Sequence, residues 1–443
     1  MSHPSAVVPR GKVVMKILYV MPSILHPTIR GELRHYHFLT RLARRHEITL
    51  IVLNGNDVPA AVIDELRQCT SHLVRIGAPP PRRPTRRGIA GAMASLRWRI
   101  QKARVYQRGI REMKRYVEQL LRGGGFDLLL VSGSDLYPIA ESVPGAPMVV
   151  DWCDTDSVRM RLALRHTTPL EWPLRFVRYH QMRRVEERVF RKLRHVTFVS
   201  RRDRDAAVGI ARSGTIIPNG CDLSYWTRSG GERGPRIVFT GVLDYAPNAD
   251  AARYLLSAIA PLVRQEIPHL EVVIAGRNPS PDVLALGEQA GGVTVTGSVP
   301  DLRPYLETAA VFVAPLRFAS GMQNKILEAM AMELPVVTTP VAAEGFSVDG
   351  DEDPPLLVGR DARELAAHIT RVIRDPHTAQ QLGAEGRRYV HRHCDWERSA
   401  RMLDQLCRKV ATTQLVPRAH SDSHRYRPIH STRSKDRVAH PLV

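Results

Sequence analysis

Residues 314–335, APLRFASGMQNKILEAMAMELP, bring together side chains that could hold a phosphorylated ligand. An aliphatic run ends at Pro315, a loop containing Gly321 follows, and the pattern predicts a helix starting near Asn324. The first turn of a helix presents free N–H groups and the positive end of its dipole, which suits phosphate. Arg317 and Lys325 add full positive charges there. Glu328 falls one turn into the helix, on the face of Asn324 and Lys325. A carboxylate at that depth can accept both hydroxyls of a ribose while the loop holds the phosphates. A strand–glycine–helix loop also arises as a solvated helix behind an incidental turn, so this segment by itself leaves both readings open.

Three carboxylates, Asp151, Asp154 and Asp156, stand in DWCDTDS directly after an aliphatic run. One reading of Asp154 and Asp156 is a D-x-D metal pair. Another places Asp154 on a loop where it takes a hydrogen bond or a proton from an acceptor hydroxyl. A third has Asp154 or Asp156 capping the following helix. Gly31 and Gly241 each follow a predicted strand, and a residue without Cβ lets backbone N–H groups approach a diphosphate. A plain turn glycine fits Gly31 almost as well. His35, His37, His166 and His180 could face the same cleft, but spacing selects none of them.

The elements that must position these residues read as strands alternating with helices, the rhythm of a parallel sheet. Aliphatic runs at 16–21, 48–53, 126–131, 148–150 and 196–199 form one series; runs at 236–239, 271–275, 293–296, 311–314 and 335–338 form another. A glycine-rich polar stretch, RSGGERGP at 228–235, separates them. The expected class is α/β, with two Rossmann-like doubly wound domains facing a central cleft, since open parallel sheets bind ligands beyond the carboxyl ends of their strands. The expected boundaries are a flexible extension over 1–14 (with Met15 a candidate start), an acceptor-binding domain over 15–227, a linker over 228–235, and a donor-binding domain over 236–394. A terminal helix over 395–411 returns toward the first domain, and a disordered basic tail covers 412–443. Within the first domain, residues 96–121 carry an apolar stripe of Leu96, Ile100, Ala103, Ile110, Met113, Val117 and Leu120, expected to pack on the sheet, and a basic opposite face. The Pro- and Arg-rich stretch 78–88 before it reads as an exposed loop.

Composition bounds the function classes. The chain has 443 residues, 43% of them hydrophobic, which excludes a wholly disordered protein. Lys and Arg exceed Asp and Glu by 64 to 44, a net charge of +20 that draws polyanions: nucleic acid, anionic lipid or a phosphorylated small molecule. No helix-turn-helix, zinc module or aromatic RNA-binding signature accompanies it, so nucleic acid is not the expected partner. Five scattered cysteines without a C-x-x-C argue for a reducing compartment and against zinc.

Several ordered segments resemble one family. ILEAMA at 326–331 followed by LPVV at 334–337, IPNGCD at 217–222, FVS at 198–200 with Asp203, and Gly241 after RIVFT are similar to segments of the large retaining GT-B glycosyltransferase family with an E-x(7)-E donor motif, the group 1 type. Within it, GMQNKILEAM, FTGVLDYAPNAD and VVDWCDTDS resemble the branch associated with exopolysaccharide and PEP-CTERM systems. The resemblance implies a hexosyltransferase that binds a nucleotide-sugar donor in the second domain and a glycan or lipid-linked acceptor in the first, with retention, no cofactor and no obligatory metal. Asp154 is the implied catalytic carboxylate; Gly31, Gly241, Arg317, Ser320, Gly321, Asn324, Lys325 and Glu328 are the implied donor-binding set. The sequence departs from the family at Ser320, which stands where the first Glu of the motif belongs, and at Val242 and the stretch 246–250, which lack the usual Arg and Lys. Arg317 and Lys325 are the candidates to replace those cations. A nonenzymatic GT-B-like scaffold is the reading these departures keep open. The expected location is cytoplasmic, held peripherally to the anionic inner face of the cell membrane by the basic face of 96–121.

Overall fold

The computed structural model describes residues 14–24, 26, 34–54, 58–79, 81, 88–208, 214–348, 350 and 352–413. Gly31, nearly all of the extension and basic tail, and most of the loop at 78–88 lie outside the described residues.

Two all-parallel sheets carry the chain. The first holds β1 Lys16–Met21, β2 Glu47–Leu53, β3 His72–Ile76, β4 Leu128–Ser132, β5 Met148–Cys153, β6 Val196–Phe198 and β7 Gly214–Ile216, in the order β3-β2-β1-β4-β5-β6-β7. The second holds β8 Arg236–Thr240, β9 Glu271–Ala275, β10 Val293–Gly297, β11 Val311–Ala314, β12 Val336–Thr338 and β13 Leu356–Val358, in the order β10-β9-β8-β11-β12-β13. Helices cover both faces, so central strands bury both sides and read as unbroken aliphatic runs; β1 hides five of its six residues. In each sheet the order reverses beside its first strand, between β1 and β4 and between β8 and β11, and the loops leaving those strands open a crevice. This is the α/β GT-B architecture the sequence predicts.

The strands β3, β7 and β13, which the pattern does not reveal, are short edge strands with partly exposed residues; β3 and β7 carry no continuous aliphatic run, and that of β13 is only three residues long. The helical segment after β8 is interrupted: it runs as Ala246–Tyr254, a π turn Leu255–Ile259, and Ala260–Glu266. Pro261 has no N–H to donate back to the preceding turn, and the wider π turn absorbs the mismatch. The last described helix, Trp396–Thr413, packs on the first domain. Trp396, Ala400, Leu403 and Cys407 join the core beneath β1 and β2, and the Trp396 ring stacks on His37 at 4.7 Å.

The long helix of the first domain runs Gly88–Arg122, and its apolar stripe divides. Ile110, Met113 and Val117 are buried against the sheet, whereas Leu96 and Ile100 stay 59% and 46% exposed, with Met93 beside them at 56%. The expectation that the whole stripe packs on the sheet is therefore corrected. A helix of 35 residues is about 50 Å long at 1.5 Å per residue, more than a five-residue strand can cover, so its first half overhangs.

Candidate active site

Asp154 reaches the cleft through a local irregularity. The pairing of β5 with β6 shifts register between Asp151 and Cys153, and Cys153 adopts φ +70°, a conformation unusual for a residue with a side chain. The chain turns there, and the Asp154 carboxylate accepts a hydrogen bond of 2.5 Å from Ser320 Oγ of the second domain. Thr155, not an aspartate, occupies the N-cap position of the helix Asp156–Leu164. Asp156 instead takes Arg159 at 2.5 Å, so Asp154 and Asp156 face different partners.

Behind this contact lie two buried carboxylates. Asp151 accepts both Nε and Nη2 of Arg34, at 3.0 and 2.8 Å, and the Thr197 hydroxyl at 2.6 Å. The same guanidinium donates through Nη1 to the carbonyl of Ile217 at 2.9 Å and to Asn219 Oδ1 at 3.0 Å. Asn219 in turn donates to Asn324 Oδ1 at 2.9 Å, at the start of the helix Asn324–Ala331. The second carboxylate, Asp203, accepts Thr155 N at 3.0 Å, the Ser200 hydroxyl, and Gly321 N of the other domain at 3.2 Å. Gly321 sits at φ +65°, and a Cβ there would lie 3.1 Å from Asp154 Cβ. Only glycine allows this approach without strain.

On the second domain, the loop after β8 is pinned by close backbone contact. A Cβ on Gly276 would lie 1.7 Å from the carbonyl oxygen of Gly241, and one on Gly241 would lie 2.7 Å from Asn248 Nδ2. Asn248 donates to Val242 O at 3.0 Å and accepts from Lys325 Nζ, which ties the Gly241 loop to the first turn of the helix Asn324–Ala331. Lys325 also lies over the Phe239 ring at 5.1 Å. Burial pushes its ammonium down to about 8, against the pull of Glu328. Burial likewise pushes the Glu328 carboxyl up to about 7, against the pull of Lys325.

The cavity between the domains encloses about 350 Å³ and is lined by Asp154, Ser320, Gly321 and Asn324 together with Arg34, His35, Asp135 and Asn219. Four of the nine residues in the sequence-derived set thus meet in one space. Gly241, Lys325 and Glu328 lie beyond its lining, joined to it through Asn248 and the helix Asn324–Ala331. Arg317 is committed elsewhere: Asp250 holds it bidentately at 2.9 and 2.5 Å, and it covers the Tyr254 ring at 5.0 Å. Of the histidines, His35 faces the cavity, His166 stacks on Phe318 across the cleft at 6.3 Å, and His180 packs on Phe176. Sequence reasoning missed Arg34, Asn219 and Arg159, whose guanidinium lies 5.8 Å from the Tyr245 ring across the cleft. Arg34 and Asn219 find their partners more than 100 positions away in the chain, and Arg159, though held locally by Asp156, meets Tyr245 only through the fold.

Burial and the neighbouring Asp203 push the Asp154 carboxyl up to about 7, with the Ser320 hydrogen bond opposing. The folded state therefore holds this proton more tightly than the unfolded chain, and stability declines as pH rises from about 4 to about 7. Asp154→Asn removes the ionisation, so it should gain on the parent as pH increases, by roughly 1–4 kcal/mol at pH 8 relative to pH 4. Urea midpoints of both proteins across that range check this; parallel pH profiles would contradict it.

The fold and one segment of the chain have counterparts among known proteins. Residues 234–375 match the model of the family described as glycosyl transferases group 1. TuaC of Bacillus subtilis strain 168, which carries the name of a teichuronic acid biosynthesis glycosyltransferase, is 29% identical over 147 residues, 33% of this chain and 36% of TuaC. This chain thus spans about a third of that relative's length. Among solved structures, sucrose-phosphate synthase from Thermosynechococcus elongatus superposes with a TM-score of 0.63 at 17% identity, covering 90% of this chain and 100% of that one. HepE of Anabaena, solved in complex with UDP and glucose, gives 0.59 at 13% identity over 89% and 100% of the two chains. The fold is GT-B, and residues 234–375 are similar to the group 1 glycosyl transferases.

Proposed function

We propose that the protein moves a hexose from a nucleotide-sugar donor to an acceptor hydroxyl with retention of configuration. The observation that carries this is the meeting of the two crevices: Asp154 from the first sheet and Ser320 from the second share one hydrogen bond, beside a helix that starts with Asn324 and Lys325. The donor lies over the second sheet, with Glu328 on the ribose and Lys325, the helix N–H groups and the Gly241 loop facing the diphosphate. Arg317, already paired with Asp250, adds little net charge there. As the sugar–phosphate bond breaks, negative charge grows on the leaving oxygen, and preorganised dipoles with Lys325 stabilise it. The acceptor oxygen bonds to the anomeric carbon from the same side, and its proton passes to a phosphate oxygen. Asp154 orients the acceptor hydroxyl, and Ser320 holds Asp154. The family match supports this reading, as does a GT-B relative seen with UDP and glucose.

Calorimetry with UDP-, GDP- and ADP-sugars tests it. One of them should bind the parent, and Glu328→Gln should weaken that binding about tenfold, the cost of a lost charged hydrogen bond, with melting unchanged. Equal affinity in both proteins would refute the assignment.

The acceptor in this reading belongs to exopolysaccharide or surface-glycan assembly, and the enzyme works on the inner face of the cell membrane. Among the described residues no helix is long and apolar enough to cross a membrane. In this reading attachment is peripheral, through the basic face of the long helix that carries Arg104, Arg108, Arg111, Lys114 and Arg115, where a cation unpaired among the described residues, such as Arg104, is worth about 1 kcal/mol against an anionic leaflet and Arg108 and Lys114, paired with Glu112 and Glu118, add less. Co-sedimentation with anionic vesicles that persists unchanged in high salt would speak against it.

A further inference from the structure

A second cavity, of about 370 Å³, lies beneath the overhanging part of the long helix. Leu53 and Ile76, at the ends of β2 and β3, form its floor, and Trp98, Val105, Tyr106 and Gly109 of the helix form its roof. These walls are apolar, so an occupant gains burial without needing hydrogen-bond partners. The exposed cations Arg99 and Lys102 also belong to the lining, with the Lys102 ammonium 5.2 Å from the Trp98 ring. An apolar pocket with cations at its edge suits a hydrocarbon chain that ends in phosphate.

The position of the cavity adds a second constraint. It lies at the same carboxyl edge of the first sheet as the active-site cleft. The two share a wall: the Tyr106 hydroxyl, on the cavity side, lies 3.2 Å from the carboxylate of Asp135, which lines the cleft. On the outer side of the same helix, Met93, Leu96 and Ile100 are exposed at i, i+3 and i+7 spacing, with Arg97 and Arg104 among them. The helix thus has an interfacial face turned outward and covers the cavity with its other face.

We propose that this cavity holds the hydrocarbon chain of a lipid-phosphate-linked acceptor whose sugar end occupies the cleft. The proposal rests on the transferase reading above and names the acceptor class for it. The chain leaves the bilayer beside Leu96 and Ile100, enters between the helix and the ends of β2 and β3, and places its phosphate near Lys102 and Arg99. The wall formed by Tyr106 and Asp135 sets the distance from the phosphate to the sugar that receives the transferred hexose.

The test uses the whole chain, without donor, and calorimetry below the micellar concentration of each probe. The probes are butyl phosphate, dodecyl phosphate and glucosyl dodecyl diphosphate. Dodecyl phosphate should bind far more tightly than butyl phosphate, by about tenfold for each pair of methylenes that the cavity encloses. Ala103→Trp, which fills the cavity from an exposed lining position, should cost dodecyl phosphate tenfold or more while nucleotide-sugar binding and melting stay at the parent level. The glucosyl probe should bind more tightly than dodecyl phosphate, and Asp135→Ala should erase that difference. Affinity independent of chain length, or unchanged in Ala103→Trp, would overturn the cavity assignment. Equal affinity for the glucosyl and bare probes would assign the cavity to bulk membrane lipid and overturn the acceptor role. Intact chain binding in a protein that binds no nucleotide sugar would overturn the transferase reading alone.

Discussion

Arg34→Met should destabilise the first domain by about 3–5 kcal/mol, the cost of leaving a buried charge without its partner. Asp151 is fully buried, and Arg34 supplies its only full positive countercharge by hydrogen bond among the described residues, with Thr197 and His35 adding weaker contacts. The Asp151 carboxyl sits below the usual carboxylate range because the Arg34 attraction and hydrogen bonds overcome the cost of burial. Methionine keeps the apolar stem but strips donors from Asp151, from the carbonyl of Ile217 and from Asn219. The chain leaving the first domain then loses its anchor, so the damage extends to the Asn219–Asn324 contact between domains. Chemical denaturation followed by circular dichroism measures the loss. Adding Asp151→Leu to Arg34→Met should restore a large part of it, because the orphaned charge is gone. A single-variant loss below about 1 kcal/mol would mean that water reaches Asp151 and the pair is not sealed.

Lys325→Ala should lower turnover by about 10²–10³, the effect of removing one preorganised countercharge from a developing oxyanion. Among the described residues no carboxylate lies within ion-pair distance of Lys325: its hydrogen-bond partner is the neutral Asn248, whereas Arg317 is held by Asp250. Its depressed ammonium adds a pH signature. The free enzyme loses this charge above about pH 8, so kcat/KM of the parent should fall there. Lys325→Ala should lack that alkaline limb. Arg317→Ala should cost less than Lys325→Ala, since its removal leaves Asp250 to solvent rather than the diphosphate without a countercharge. Initial rates of donor consumption with each sugar nucleotide check both substitutions. Equal losses from the two would return Arg317 to the phosphate site.

The parts of the molecule with local signals are legible in the order of residues alone. Central strands such as β1 and β11 are aliphatic because both faces are covered, and that pattern needs no knowledge of neighbours. The helix starting at Asn324, with Lys325 on its first turn and Glu328 one turn further in, follows from helical spacing alone. Tertiary structure decided everything that depends on partners far along the chain. Arg317 carries a charge in any sequence reading, but Asp250, 67 positions away, removes it from service. Asp154 carried three readings in sequence; the bulge at Cys153 turned it toward Ser320, 166 positions away, rather than to its own helix. Asp203 enters the sequence reading only beside FVS, yet in the fold it accepts from Thr155 of its own domain and from Gly321 of the other. The apolar stripe of the long helix shows the same division. Its period is a local property and was legible, but the length of sheet available to cover it is not, and only the fold left Leu96 and Ile100 facing outward. Spacing along the chain fixes which side chains share a face, while strand order fixes what that face meets.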